Sequence, residues 1–334
     1  MELNLIMLPT ASIVIPTFNG ASRKLSECLF ALMQQKAKAS VEIIVVDDGS
    51  TDQTPHLISQ WKDIRVFRQQ RLGPAVARNL GLHQATGDIV LFIDDDCIPE
   101  SNWLEAMLEP FSDADVDGVK GCYLSDQLEL VAQFVQLEYE EKYDRLSILD
   151  RIDLIDTYSA AFRREVLVKA GGFAASFPVP SVEDRELSWR LAQEGRRLVF
   201  QPQAKVWHTH PQTLSQYFWK KFKNGYWGHH LIRTHPRLLR GTSDTPGSQK
   251  LQLCLIGFIP VLFFHDAWKK RWSIEIYGLG MFLFFLSCGS LGVKAWKKQR
   301  SLALLLPVFL LIRACALGLG LAAGGFRGTS SKAG

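Results

Sequence analysis

Three short runs of aliphatic and β-branched residues, each ending in a polar or acidic cluster, constrain this chain more than any other feature. Ile13-Val14-Ile15 ends at Pro16-Thr17-Phe18-Asn19. Ile43-Ile44-Val45-Val46 ends at Asp47-Asp48-Gly49-Ser50, and Ile89-Val90-Leu91-Phe92-Ile93 ends at Asp94-Asp95-Asp96. Helix-like stretches at residues 24–35 and 75–84 separate the runs. Bare runs of β-formers alternating with helices read as central parallel strands covered on both faces, which is an α/β sheet. Parallel strands share a direction, so the clusters that end them converge on one edge, where open α/β sheets bind ligands.

The 334 residues allow one large domain with an appendage, or two modest domains. Their ordinary composition conceals a split, because from about Leu251 onward apolar runs dominate and predict a helical membrane region. Three segments are expected there: residues 251–264, containing Pro260; residues 274–293; and residues 302–325. Lys269, Lys270 and Arg271 lie on one side of the middle segment and Lys294, Lys297, Lys298 and Arg300 on the other. The positive-inside rule is therefore ambiguous, and three spans with the second loop inside are the working expectation. Arg313, within the last segment, is expected to face protein, headgroups or substrate.

A net charge of +4 does not point to nucleic acid, and no nucleic-acid partner is expected. Its placement says more. Between Arg196 and Ser243 stand nine Lys or Arg residues and no Asp or Glu, interleaved with Trp and Tyr. Such a collar beside apolar segments suits membrane lipids, although a solvated basic helix shares the pattern. Six scattered cysteines without a CxxC pair indicate neither a disulfide framework nor a zinc site, and a reducing, cytoplasmic face fits. Residues 1–10 show no signal peptide.

Three adjacent carboxylates, Asp94, Asp95 and Asp96, repel one another in a dry site, and a hard divalent cation shared with substrate phosphates would neutralise them. A solvated acidic turn is the competing reading. Asp47 and Asp48 read either as a capped turn or as acceptors for base N–H and ribose hydroxyl groups.

Read together, these segments resemble the catalytic domain of a family 2 glycosyltransferase with the GT-A fold, a Rossmann-like, mostly parallel sheet with helices on both faces. The resemblance is carried by Ser12-Ile-Val-Ile-Pro-Thr-Phe-Asn19, Val45-Val-Asp-Asp-Gly-Ser-Thr-Asp52 and Gly73-Pro-Ala-Val-Ala-Arg-Asn79. It continues in Phe92-Ile-Asp-Asp-Asp96, Gly171-Gly-Phe173 and Glu183-Asp-Arg-Glu-Leu-Ser-Trp-Arg190. It covers about residues 11–228 and implies a catalytic domain over 1–228, a basic interfacial linker over 229–250 and membrane helices over 251–325.

The resemblance further implies a nucleotide diphosphate-sugar donor and Mg2+ or Mn2+. Pro16, Asn19 and Asp48 would line the nucleotide site, Arg78 would approach the nucleotide, and Asp94 and Asp95 would lie near ribose and diphosphate. Asp96 would be the principal metal ligand, with Asp94 and His208 as further candidates; a His beside Trp207 is as often structural. Asp184 would be the general base, while Glu183 is either the base or the group that orients it; helix capping is the bland role for both.

In-line attack by an acceptor hydroxyl, lipid-linked or on a membrane-proximal glycan, would invert the anomeric centre. One departure stands out. Membrane polymer synthases of this family carry Q-x-x-R-W, whereas Arg271-Trp272 here follows Asp266-Ala-Trp-Lys-Lys, so addition of single sugars is expected. A non-catalytic nucleotide-sugar-binding subunit and a nucleotidyltransferase are the alternatives; the Glu183-Asp184 helix and the missing glycine-rich phosphate loop disfavour the latter.

Overall fold

A computed structural model describes residues 10–36, 39–176 and 182–327. The N-terminal reading falls almost wholly outside these residues. The chain forms two compact units: one holds Met1–Leu124 and Leu146–Thr209, the other Ser125–Arg145 and His210–Gly334.

The first unit is built on one eight-stranded sheet. Its elements are β1 (Ala11–Thr17), α1 (Leu25–Met33), β2 (Val41–Asp47), α2 (Thr54–Ser59), β3 (Arg65–Arg68), α3 (Pro74–Gln84) and β4 (Ile89–Ile93). They continue with β5 (Ile98–Pro99), α4 (Trp103–Leu108) and β6 (Val116–Leu124). The second unit interposes α5 (Leu130–Leu146), after which come β7 (Ser159–Arg163), α6 (Arg164–Lys169), α7 (Glu183–Gln193) and β8 (Arg197–Trp207). The strand order is β3-β2-β1-β4-β7-β6-β8-β5.

The three runs that mark the sequence are β1, β2 and β4. β1 pairs in parallel with both β2 and β4, and all five residues of β4 are buried, as a strand covered on both faces requires. β7 runs antiparallel between β4 and β6, while β6 and β8 are parallel to each other. β1, β2, β4, β6 and β8 therefore end on one edge, and β7 begins there. Beneath it Phe92 meets Phe162 and Phe173 edge-to-face, with ring centroids 6.4 and 5.1 Å apart.

The second unit consists of helices: α5, α8 (Leu214–Thr234), α9 (Gly247–Lys269), α10 (Ile274–Ser287), α11 (Gly289–Lys298) and α12 (Arg300–Arg327). Phe134 of α5 is its hub, stacked on Phe309 of α12 at 4.7 Å and edge-on to Tyr217 of α8 at 5.5 Å. Among the described residues two helices, α9 and α12, are long and apolar enough to cross a membrane.

The three expected segments are corrected in two respects. α9 passes through Pro260 and reaches 23 residues, where the sequence reading stopped at 14. The segment at 274–293 is broken by a 49° bend between α10 and α11, and a third span exists only if that bent pair counts as one. The break falls at Ser287-Cys288-Gly289-Ser290, small residues of the kind at which helices kink, and α11 carries Lys294 and Lys298, which reach Asp144 and Glu140 of α5 at 2.6 and 2.5 Å.

Candidate active site

The site is built where the strands end. Asp95, the residue after Asp94 at the tip of β4, is 2% exposed and accepts a 2.6 Å hydrogen bond from Thr17 Oγ1 at the tip of β1. Arg23, in the loop before α1, reaches Asp95 at 2.7 Å and Asp96 at 3.4 Å. The loop can come this close because residue 20 is glycine; a Cβ there would sit 2.3 Å from Thr17 Oγ1 and 2.9 Å from Asp95 Oδ2. Burial pushes the Asp95 carboxyl up to about 7, against the lowering influence of Arg23 and Thr17.

Asp96 turns toward the end of β8. Its Oδ1 lies 3.6 Å from His208 Nδ1, and the donor atoms of Asp96, Cys97 and His208 all lie within 4.8 Å of one another. The His208 ring stacks on Tyr123 at 4.4 Å, and Tyr123 stacks on Tyr158 at 3.5 Å, so a tyrosine pair sets the imidazole plane. The Asp96 carboxylate suits a hard divalent cation such as Mg2+ or Mn2+, and the His208 imidazole is the softer donor of the pair. Cys97 is the third donor of the group, and burial and the neighbouring aspartates raise its thiol well above the usual range.

Asp94 faces the other way. Arg78 of α3, 4% exposed, donates from Nη2 to Asp94 at 3.0 Å and from Nη1 to Glu183 at 2.8 Å. One guanidinium fork thus ties the tip of β4 to the first turn of α7. Asp184, the next residue, accepts from the Thr157 N–H at 3.1 Å through Oδ2 and from the Arg185 N–H at 2.8 Å through Oδ1. Its carboxyl is pushed up to about 7, chiefly by burial, then by Glu183 and Asp156, with Arg78 opposing. Asp156 in turn is paired with Lys120 of β6, which has no exposed surface and lies 5.0 Å from the Tyr158 ring centroid.

Asp48, at the end of β2, is 5% exposed and holds the loop that leads into α3. It accepts from Gln69 Nε2 at 2.7 Å, Leu72 N–H at 2.8 Å and Gly73 N–H at 2.9 Å. Asn19 adopts a left-handed conformation (φ 52°) and cross-links the two turns, with its N–H on Ser50 Oγ and its Oδ1 accepting from the Thr51 N–H, both at 2.9 Å. Pro16 is half-buried in β1 opposite Val46.

The residues singled out in the sequence thus fall into three connected groups: Pro16, Asn19 and Asp48 around the β1 and β2 turns; Asp95 and Asp96 with His208; and Arg78 with Asp94, Glu183 and Asp184. Sequence reasoning missed Thr17, Arg23, Cys97, Lys120, Asp156 and Thr157. Thr17 carried a signal, being a polar residue at the end of a predicted strand, whereas Arg23 lies in the loop before α1. Lys120 and Asp156 carried none, because β6 and the loop before β7 were not read as reaching this edge.

A mixed sheet in this order, with an acid-tipped central strand, is a GT-A fold. Over 97% of this chain and 88% of the other, it superposes on the mannosyltransferase PcManGT from Pyrobaculum calidifontis in complex with GDP-Man and Mn2+, with TM-score 0.59 and 20% identity. Residues 12–171 match the model of glycosyl transferase family 2, and the chain belongs to that family.

Among curated relatives, it is 30% identical over 239 residues to pre-mycofactocin glycosyltransferase of Mycobacterium tuberculosis, covering 67% of this chain and 48% of that protein. It is 35% identical over 207 residues to glycosyltransferase AglE of Haloferax volcanii, covering 58% of this chain and 64% of that protein. The chain thus spans about half the length of the first relative and under two thirds of the second.

Proposed function

We propose that this chain is a membrane-associated, inverting glycosyltransferase that moves one sugar from a nucleotide diphosphate-sugar to a hydroxyl of a lipid-linked or membrane-proximal glycan acceptor. The observation that carries the reading is the Arg78 fork. It commits Glu183 to an ion pair and joins the β4 acids to α7, leaving the adjacent Asp184 as the base. The Thr157 N–H holds the Asp184 carboxylate in place, and its raised pKa matches a base that works near neutrality. Asp184 takes the acceptor proton as the hydroxyl attacks the anomeric carbon, on the side opposite the departing nucleoside diphosphate.

Asp96 and His208 would hold the divalent cation, whose chemistry is to stabilise charge developing on the leaving diphosphate, while Asp94 is held by Arg78 beside them. Asp95, gripped by Thr17 and Arg23, fixes the strand tip that presents Asp94 and Asp96. Pro16, Asn19 and Asp48 shape the nucleoside side, Asp48 by holding the 69–73 loop that leads into the Arg78 helix. All six cysteines are free, which supports a catalytic unit facing the cytoplasm. The departure from Q-x-x-R-W supports single additions.

The test is to incubate the purified full chain and Mg2+ or Mn2+ with a panel of nucleotide-sugars and native membranes, then identify products by mass spectrometry. A glycosylated acceptor with release of nucleoside diphosphate is expected. Asp184→Asn should lower transfer by ~10²–10⁴-fold while donor binding persists; transfer at the unsubstituted rate would remove Asp184 as base. Metal-dependent nucleotide binding with no turnover for any donor would turn the reading to a non-catalytic subunit, and pyrophosphate release to a nucleotidyltransferase.

A further inference from the structure

α12 has the length and apolarity of a membrane span, yet its neighbours within the helical unit are wrong for one. It lies side by side with α8, and the two run in the same direction. A Cβ on Gly225 would sit 2.3 Å from the Leu317 carbonyl oxygen, one on Gly320 2.1 Å from that of Phe222, and one on Gly324 2.6 Å from that of Tyr226. The helices are therefore locked backbone to backbone along the C-terminal half of α12.

Along the same stretch α8 carries Lys220, Lys221, Lys223 and Arg233. Arg313 of α12 is itself buried in polar company, donating to Glu138 of α5 at 2.8 Å and to Gln252 of α9 at 2.7 Å. Lys221 reaches the same Glu138 at 3.0 Å. The N-terminal half of α12 is covered by α5 and α11, through the cluster of Phe134, Leu137, Leu291, Ala295, Leu302 and Phe309. As a result 39% of the apolar window of α12 is buried against protein, compared with 11% for α9.

Most of the large apolar side chains that α12 leaves exposed form one stripe, Leu304, Val308, Leu311, Leu319 and Phe326, with Leu305 at its flank. Had α12 crossed the bilayer, it would have taken α8 and its exposed cations Lys220, Lys223 and Arg233 into the hydrocarbon, where Lys and Arg are strongly disfavoured. In the plane of the membrane the conflict disappears, because the stripe meets acyl chains while the cations of α8 stay at the anionic headgroups.

α9 and α10 are arranged otherwise. They pack on each other through Gly280 against Leu255 and Ile259, and expose Phe258, Val261, Phe264, Met281 and Phe282 around a tip of Trp268, Lys269, Lys270, Arg271 and Trp272. Aromatic and basic residues at the end of an apolar hairpin suit a membrane–water interface.

We infer that α12 is not a transmembrane helix but lies in the plane of one leaflet, with its leucine stripe in the acyl boundary and α8 at headgroup level, and that the α9–α10 hairpin is what enters the bilayer. The partner of this surface is lipid, and α12 is an in-plane float rather than an anchor.

Depth measurement by spin labelling tests it. In the full chain with Cys254→Ala and Cys315→Ala, nitroxides are placed singly at Leu304→Cys, Leu311→Cys, Leu319→Cys and Phe326→Cys. The protein is reconstituted in phosphatidylcholine–phosphatidylglycerol vesicles, and accessibility to oxygen and to a nickel chelate gives the depth of each label. All four are expected at one shallow depth, about 5–10 Å into the leaflet. A profile that deepens toward Leu311 and Leu319 and becomes shallow again at Phe326 would overturn the inference. Labels at Ile276→Cys, Met281→Cys and Leu286→Cys on α10 are expected to show graded depth; if all three are shallow, the hairpin half of the inference fails.

Discussion

At the scale of single residues, Arg78 has the sharpest consequences. Its fork joins Asp94 and Glu183, so Arg78→Met would leave the buried Glu183 carboxylate without its cation. Removing one partner of such a group costs about 3–5 kcal/mol, and the variant is expected to show a correspondingly lowered unfolding midpoint in denaturant. Arg78→Lys is expected to recover only part of that loss, since an ammonium lacks the planar fork that reaches two carboxylates at once.

Asp184 gives a pH signature. A base must be deprotonated to act, and with its carboxyl at about 7 transfer is expected to fall as pH drops through 7, approaching tenfold per unit below it. A rate flat from pH 5.5 to 8 would contradict this. For stability the sign is opposite: a carboxyl raised above its unfolded value near 3.9 favours the fold at low pH, and that contribution is lost as pH rises from about 4 through 7. Asp96→Asn is expected to weaken donor binding at limiting Mn2+, read by calorimetric titration of the nucleotide-sugar with and without the metal.

At the scale of elements, β1, β2 and β4 were legible because a parallel strand buried on both faces must be an unbroken run of β-formers. β8 was not: Arg197–Trp207 contains Pro202 and two glutamines and is only half-buried, so its pattern resembles a loop. His208 was therefore visible as a residue type, but its place beside Asp96 depends on β8 ending at the same edge as β4, which no local pattern encodes. Glu183 and Asp184 were legible as a pair, but not their different partners, since Glu183 is paired with Arg78 from more than a hundred residues away. The ion pairs of α11 were hidden for a similar reason, since their carboxylates lie on α5.

Packing of α8 on α12 gives an element-scale prediction. Gly225→Val would press a branched side chain onto the Leu317 carbonyl and force the helices apart. Overpacking of this kind typically costs 1–3 kcal/mol, and the full chain in detergent is expected to melt several degrees lower, whereas Gly257→Val, where an added Cβ meets nothing, should leave the midpoint unchanged.

At the scale of the whole molecule, the apolar surface exposed on α9 and α10 is expected to keep the chain in the membrane pellet through high salt and alkaline carbonate, with release only by detergent. Release by salt alone would mean that the basic helix α8 supplies the attachment. The order in which the chain is made has a further consequence. Glu138 and Phe134 of α5 find their partners in residues up to 175 positions later, so a ribosome exposes the greasy side of α5 long before its cover exists. A nascent chain must shelter that helix, on a chaperone or on the bilayer itself, until translation is nearly finished. Trimming the gene at residue 228 to obtain a water-soluble enzyme would make this temporary exposure permanent, and such a fragment is destined for inclusion bodies.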